Sequence, residues 1–301
     1  MERPRFGQSL FRHTFVPALL VLSLAPWLAF DRSTGWGFTS TTRLEVTGPM
    51  LLLVMLVVWM AEQLYPANAD WNARLFTDGL RGWKRLGHDL VYLFGVAQLS
   101  AFLVGRLDPL LAAAVGKLDL WPAQAPFAAR VALAFFTVEF FAYWVHRAAH
   151  RFRPLWQFHS THHVITELNG LKAVRTHPVD NVVAYVGRVV PLMLLGAGPS
   201  ELQAAIYFGG VLGILSHANL TLSDRGLGLL VNFPSAHAAH HASDVAEANV
   251  NFGCHTVLWD RVFGTFRRAA RPGATLGVDP VGPRTLWQQL AWPFYRRVGG
   301  L

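Results

Sequence analysis

Charged side chains are scarce in this chain of 301 residues. Asp, Glu, Lys and Arg make up 15% of it, whereas soluble domains carry about a quarter. Hydrophobic residues reach 52%, and 11 Trp and 21 Phe are among the aromatic residues. So few charges cannot cover the whole surface, so we expect part of that surface to face lipid and aromatic rings to anchor helices at the membrane interface.

Cysteine is nearly absent, since the sequence contains only Cys254. This excludes an intrachain disulfide and a metal site built from several thiolates. A nucleic-acid-binding motif and a continuous basic stripe are lacking too, because the net charge of +8 comes from short clusters of Lys and Arg between apolar runs. The sequence therefore predicts no nucleic-acid partner.

Four apolar runs approach the length of about 20 residues that a helix needs to span a bilayer. They cover residues 14–30, 49–65, 88–105 and 127–145. Basic residues precede the first run, as in a signal peptide, but no small-residue cleavage site follows it, so we expect this helix to be retained. The runs predict an all-α, multi-pass membrane helical bundle with four transmembrane helices. We expect three regions: N-terminal helices and a loop over 1–84, a histidine-rich region over 85–268, and a cytosolic tail over 269–301.

A further apolar stretch covers residues 182–216 and is interrupted between Gly196 and Pro199. Each half is short for a full span, and histidines flank the stretch on both sides. We therefore expect a helical hairpin that dips into the membrane and returns to the same face. Arg188 lies inside it and must reach the interface or find a partner, because a lipid-facing charge is costly.

Basic residues alternate between the loops. They concentrate in the N-terminal tail, in 66–87 and in 146–153, whereas 31–48 and 106–126 carry two Lys or Arg each. The positive-inside rule then places both termini in the cytosol. The histidines that follow the fourth run should therefore form a cytosolic histidine-rich cap.

Histidines are concentrated in one part of the chain, since ten of the 13 fall between His146 and His241. Eight of them form three boxes, HRAAH, HSTHH and HAAHH. Spacings of i, i+3 and i+4 place side chains on one face of a helix. The boxes contain His146 and His150; His159, His162 and His163; and His237, His240 and His241.

Eight imidazoles exceed the needs of one metal ion, because a tetrahedral zinc site takes four protein ligands, or three and a water. The boxes therefore predict two ions. Imidazole suits iron, zinc, copper and nickel and disfavours magnesium and calcium. A two-metal site built from neutral imidazoles suits redox iron that activates O₂.

A zinc-dependent membrane hydrolase is an alternative, but it usually needs a Glu general base beside its ligands, as in HExxH, and no box contains Glu. A non-catalytic scaffold is a further alternative, which lost box histidines would indicate, and all eight are present.

Two further histidines flank the hairpin, His177 before it and His217 at its end. Both are expected at the same membrane face, as metal ligands or as residues that hydrogen-bond to ligands. The other three histidines lack ligand spacing and are expected to be structural or interfacial: His13, His88 and His255.

Polar side chains near the boxes are candidates for orienting the ligands. Glu139 lies two helical turns before His146 and inside an apolar helix, where an acid needs a partner, either a ligand imidazole or an arginine. Asp180, Asp244 and Glu247 are weaker candidates, because an ordinary solvated acid is the better interpretation for them. Four asparagines could either cap helices, which is the default, or support ligands: Asn169, Asn219, Asn249 and Asn251. Four aromatic residues of the same helix either line the path of a lipid chain or pack the helix: Phe140, Phe141, Tyr143 and Trp144.

Taken together, these motifs resemble those of the fatty acid hydroxylase and sterol desaturase superfamily. The resemblance covers about residues 85–268 and preserves the order and spacing of every box. The motifs that carry it are YWVHRAAH (143–150), LWQFHSTHH (155–163), AVRTHP (173–178), SHANL (216–220), HAAHH (237–241) and NFGCHTVLWDRVFGTF (251–266).

The resemblance implies a di-iron centre beneath a cytosolic cap, with the eight box histidines at the family's ligand positions and zinc as a substitute in purified protein. Glu139 falls where many relatives carry Asp. The resemblance also implies hydroxylation or dehydrogenation of an unactivated C–H bond of a lipid with O₂ and two electrons. Hydroxylation is favoured over desaturation, although the box spacing does not separate them. Without a fused cytochrome domain, the electrons are expected from a separate donor of the cytochrome b5 or ferredoxin type, which the basic cytosolic face would attract.

Overall fold

The computed structural model describes residues 6–34, 40–72, 79–223, 225–269, 275–278 and 285–295, with the side chains of 6–7, 24–46 and 295 outside the description. This part of the chain is helical, with isolated β-bridges and no β-strand. Its α-helices are α1 (Phe6–Thr34), α2 (Ser40–Leu64), α3 (Leu80–Val91), α4 (Ala97–Ala114), α5 (Phe127–Arg151), α6 (Arg153–His163), α7 (Pro178–Leu195), α8 (Pro199–His217), α9 (Pro234–His240), α10 (Val245–Ala248), α11 (Leu258–Val262) and α12 (Leu286–Tyr295).

Four described segments are long and apolar enough to cross a membrane. They are Thr47–Leu64, Leu80–Ala114, Phe127–Arg151 and Pro178–Leu195. The first three contain or overlap the predicted runs 49–65, 88–105 and 127–145, and the second is continuous because a π-helical turn, Tyr92–Val96, joins α3 to α4. The run 14–30 lies in α1. The chain is an all-α, multi-pass membrane protein, as predicted.

The expected hairpin is formed by α7 and α8. Gly196 ends α7 in the left-handed conformation (φ 90°), which costs glycine little because it lacks a Cβ, and Pro199 opens α8. The helices have 18 and 19 residues, longer than the sequence suggested, so α7 reaches a spanning length. α7 begins and α8 ends beside the histidines, so the hairpin returns to the face from which it leaves.

α5 is the central helix of the bundle and packs against α6, α7 and α8. A Cβ on Gly187 of α7 would lie 2.4 Å from Val145 Cγ2 of α5, so only glycine allows this close approach. Small residues at contacts between helices are typical of membrane bundles. This packing fixes the end of α5 that carries the first box.

Buried polar groups connect the membrane helices to the cap. Glu62 Oε1 of α2 accepts hydrogen bonds from the N–H groups of Gly170 (2.7 Å) and Asn219 (2.8 Å). Lys172 Nζ binds both carboxylate oxygens of Asp89, at 2.7 and 2.8 Å. These contacts position the 3-10 segment Gly170–Val174 and the end of α8.

Arg188 has a hydrogen-bond partner in its own helix, because its Nε donates to Ala184 O of α7 (2.8 Å).

Part of the predicted C-terminal tail folds back onto the cap. Trp292 of α12 is buried against Trp156 of α6, and Gln289 Oε1 accepts a 2.8 Å hydrogen bond from Tyr92 Oη. α12 therefore joins α6 to the π-helical turn. Residues 270–274, 279–284 and 296–301 of that tail lie outside the described part.

Candidate metal centre

Each histidine box lies at the end of a short or membrane-anchored helix. His146 and His150 occupy the last turns of α5, and the HSTHH box forms the end of α6. α9 carries His237 and His240, and His241 caps it. His217 is the last residue of α8. Four helix ends therefore converge on one region.

The histidines form two groups, in each of which one ring nitrogen of every member lies within 4.8 Å of the others. The first histidine group contains His146, His150, His159, His163 and His240, and the second contains His162, His217, His237 and His241. All nine side chains are 9% exposed or less. The structure therefore adds His217 to the eight box histidines.

The two HxxHH boxes are each divided between the groups. His159 and His163 belong to the first group and His162 to the second, whereas His237 and His241 belong to the second and His240 to the first. Successive residues turn by about 100° around a helix with 3.6 residues per turn. Side chains at i+3 and i+4 therefore leave at different angles, so one helix end serves two adjacent sites.

Hydrogen bonds assign the tautomers in the first group. His146 Nδ1 contacts Phe252 O at 2.7 Å and His240 Nδ1 contacts Val250 O at 2.8 Å. A carbonyl oxygen only accepts, so each Nδ1 carries the proton and each Nε2 of a neutral ring presents a lone pair. The two Nε2 atoms lie 2.9 Å apart. Lone pairs repel at this distance, and a cation bound by both removes the repulsion.

The second group repeats this arrangement. His162 Nδ1 donates to Arg175 O (3.1 Å) and His217 Nδ1 donates to Gly213 O (2.8 Å). The Nε2 atoms of these two histidines lie 3.1 Å apart. The donor sets of both groups therefore fit metal ions that prefer imidazole, such as iron or zinc.

Burial keeps these rings neutral. Removal from water, reinforced by neighbouring imidazoles, lowers the pKa of His162, His163, His237 and His241 well below the usual value. The same causes lower the pKa of His240 to about 3. Metal binding requires neutral imidazole, so these five rings have the required protonation state at neutral pH.

Two side chains orient ligand rings directly. Asp180 Oδ2 accepts from His159 Nδ1 (3.0 Å), and Asn249 Oδ1 accepts from His150 Nδ1 (3.2 Å). Such partners fix the ring orientation and raise ligand basicity. Both are only weak candidates at the level of the sequence, because a solvated acid and a helix-capping amide have no distinguishing spacing.

The structure places the other candidate residues away from both groups. His177 caps α7, where its Nδ1 accepts from Val179 N (3.1 Å) and its Nε2 donates to Leu290 O (3.1 Å). Asp244 caps α10 by accepting from Ala246 N (2.9 Å).

Glu139 and Asn219 are buried but likewise contact other partners. Glu139 Oε1 lies 2.5 Å from His255 Nδ1, and Asn219 bonds to Asn68 and Asn72. Within the described ranges, neither these two residues nor Asp244 contacts a histidine of the two groups. The expectation that they orient ligands directly is therefore not met.

Sequence reasoning also missed the loop that supports the site, residues 251–257. Asp260 accepts from the N–H groups of Phe252 (2.7 Å) and Gly253 (2.8 Å), and Glu139 accepts from Thr256 N (2.8 Å). Asn251 donates to Ala236 O of α9 (2.8 Å). Since Phe252 O binds His146, these contacts orient a ligand through the backbone. The motif NFGCHTVLWDRVFGTF was the signal, but it has no periodicity that indicates this role.

An integral-membrane helical bundle that gathers nine buried imidazoles into two groups defines a membrane protein with two histidine clusters that could hold metal ions. The fatty acid hydroxylase family profile matches residues 131–265, which contain all three boxes and His217. The chain is 31% identical to the ornithine lipid hydroxylase OlsE of Rhizobium tropici over 272 residues, which cover 87% of this chain and 80% of that protein. The chain belongs to the fatty acid hydroxylase family and is an oxidoreductase, as its motifs predicted.

More distant relatives include both reaction types. The chain is 30% identical over 155 residues to an alkylglycerol monooxygenase of Danio rerio, covering 52% of this chain and 34% of that protein. It is 32% identical over 134 residues to a Delta(7)-sterol-C5(6)-desaturase of Nicotiana tabacum, covering 43% and 46%. The chain thus matches about a third to a half of these two relatives. No solved structure matches it significantly.

Proposed function

We propose that this chain is a membrane-bound lipid hydroxylase whose two histidine groups each hold one iron ion. The proposal rests on pairs of unprotonated Nε2 atoms that face each other in both groups. These atoms lie 2.9 Å apart in His146 and His240 and 3.1 Å apart in His162 and His217. The names of the Rhizobium tropici and Danio rerio relatives describe lipid hydroxylation and monooxygenation. Desaturation is the second candidate, because the Nicotiana tabacum relative is named a desaturase.

The five members of the first histidine group would hold one ion and the four members of the second group the other. His177 is not part of this proposed set, because both of its ring nitrogens bind other partners. Neither group includes a carboxylate, so neutral imidazoles would leave the ions strongly cationic. Bound iron supplies the activation of O₂ that attack on an unactivated C–H bond requires. The residues of the chain hold the ligand rings in one tautomer and bury most of their surface.

The proposed reaction consumes a lipid C–H bond, O₂, two electrons and two protons, and yields an alcohol and water. A separate electron donor of the cytochrome b5 or ferredoxin type would supply the electrons from the cytosol, which is the side that the loop charges favour for the histidines. Salt screens attraction between charged proteins. We therefore expect the reduction rate to fall as ionic strength rises, and a rate independent of salt would count against charge-guided docking.

Metal analysis combined with an O₂-dependent assay tests the proposal. The purified protein is expected to contain two irons per chain and to add one oxygen atom to a component of a membrane lipid extract, as detected by mass spectrometry. His240→Ala and His162→Ala should each lower the metal content and abolish the product. His13→Ala is the matched control, because His13 is exposed and, among the described residues, hydrogen-bonds only to Ser9 O of its own helix.

Several results would contradict this assignment. One or no metal per chain in a protein with all nine histidines intact would exclude the two-ion site. Loss of two hydrogens from the lipid would establish desaturation instead. A hydrolysed lipid that forms without O₂ would point to a zinc hydrolase.

A further inference from the structure

A cavity of about 500 Å³ opens beside the first histidine group at the C-terminal end of α5. This volume lies within the range of roughly 300–1,000 Å³ that is typical of ligand pockets. His150 and its hydrogen-bond partner Asn249 form part of the wall, and Trp144, Phe152 and Phe252 supply apolar surface. The cavity therefore extends from a proposed ligand to the surface.

Two cations line the same cavity, Arg147 and Arg151. Arg147 is half-buried, and its position is fixed because it donates to Tyr143 Oη (3.0 Å) and lies 5.5 Å from the ring centre of Trp144. Arg151 is exposed. Both residues thus line the cavity from the last two turns of α5.

Neither arginine has an acidic partner among the described residues. Arg130, by contrast, pairs with Glu201 (2.6 Å), and Arg85 pairs with Glu167. The described lining of the cavity contains no carboxylate. The cavity therefore combines apolar walls with uncompensated positive charge, a combination that suits an amphiphile with an anionic head group.

We propose that this cavity binds the anionic head group of the lipid substrate, a carboxylate or a phosphate, through Arg147 and Arg151. Guanidinium groups bind both anions through pairs of parallel hydrogen bonds. The inference rests on the proposed function, because it identifies the class of lipid that the same site takes. Since His150 shares the wall, the C–H bond presented to the first histidine group lies near the head group and not at the far end of the chain.

Equilibrium binding to the metal-loaded protein in neutral detergent micelles tests the site without turnover. Three single-chain probes share one acyl chain: oleate carries a carboxylate, 1-oleoyl lysophosphatidate carries a phosphate, and monoolein is neutral. We expect at least one anionic probe to bind about tenfold more tightly than monoolein, and the tighter of the two identifies the head group. Arg147→Gln and Arg151→Gln should each weaken the binding of that probe by roughly threefold to tenfold and leave monoolein unaffected.

Arg153→Gln is the charge-matched control, because Arg153 is exposed, lies two residues after Arg151 and does not line the cavity. If Arg147→Gln does not fold because it loses the contact with Tyr143, Arg147→Lys replaces it in the assay. Lysine keeps the positive charge, so this variant should retain most of the preference for the anionic probe. Equal binding of the three probes would overturn the proposal. So would an equal effect of Arg153→Gln and Arg151→Gln, since that result indicates general surface charge.

The binding assay also separates this inference from the proposed function. Selective binding of an anionic probe by a protein that hydroxylates no lipid would support the site and count against the function. Hydroxylation that is unchanged in Arg147→Gln and Arg151→Gln, with no anionic preference, would support the function and overturn the site.

Discussion

Acidic residues near the boxes differ in role according to where they lie. Asp180 accepts a hydrogen bond from the ligand candidate His159, whereas Asp244 only caps α10. Both acids are close in sequence to histidines. Asp180 lies in the first turn of α7, and Asp244 is the N-cap residue of α10. The difference depends on which helix faces α6, because α7 brings Asp180 to within 3.0 Å of His159.

Asp180→Ala is expected to lower metal affinity by about 10- to 100-fold, the usual cost of losing a carboxylate that orients a ligand histidine. Competition with a chelator of known affinity measures the change. Asp244→Ala is the matched control and should cost about 1 kcal/mol of stability through the lost cap, with metal affinity retained. Equal loss of metal in both variants would mean that Asp180 has no specific role.

A single glycine is required in the supporting loop. A Cβ on Gly253 would lie 1.9 Å from Thr256 O and 2.7 Å from Asp260 Oδ2, and the loop cannot move away because Asp260 and Glu139 hold it. Gly253→Ala should therefore lower the melting temperature and the iron content together. Gly105→Ala in α4 is the control, because no atom of a described residue outside its own helical turn lies within 4 Å of its added Cβ, so alanine should be neutral or slightly stabilising in a helix. A wild-type iron content in Gly253→Ala would contradict this.

At the scale of elements, the 3-10 segment Gly170–Val174 connects a membrane helix to the second histidine group. Asp89 of α3 binds Lys172 in the segment, and both side chains are buried, at 5% and 2% exposure. Arg175, directly after the segment, accepts from His162 through its carbonyl oxygen. This buried ion pair, with Glu167 3.4 Å from Lys172 and Arg175 3.9 Å from Asp89, therefore positions one proposed ligand.

Lys172→Met should destabilise the protein by about 3–5 kcal/mol, because it leaves Asp89 buried without its main partner. The double variant Asp89→Leu with Lys172→Met should recover part of this loss, since it removes both charges. Chemical denaturation in mild detergent measures the stability, and metal analysis reports whether His162 is still in place. A double variant that is no more stable than Lys172→Met would show that the unpaired charge is not the cause.

At the scale of the whole molecule, the hairpin of α7 and α8 brings distant segments to one membrane face. Asp180 enters the site at the start of α7 and His217 at the end of α8. The exposed residues Arg153 and Lys117 lie at opposite ends of α5, on the cap and in the loop before the helix. They therefore report on which side of the membrane the histidines lie.

Single cysteines at these positions, in a Cys254→Ser background, test the proposed orientation. A maleimide that does not cross membranes should label Lys117→Cys in intact cells and should label Arg153→Cys only after the cells are permeabilised. This pattern places the histidine groups in the cytosol, where the electron donor is proposed to act. The inverse pattern would contradict the orientation.

The sequence alone determined the helical membrane class, three of the four spanning segments and the family, because hydropathy and the spacing of the box histidines are local properties. It also predicted that His217 lies at the same face as the boxes, since a hairpin flanked by histidines must return to them. Only the tertiary structure divided the HxxHH boxes between two groups, left His177 outside both and assigned Asp180, Asn249 and the carbonyl oxygen of Phe252 to orient the ligands. These contacts join residues up to 106 positions apart, and they depend on how α5, α6, α8 and α9 pack.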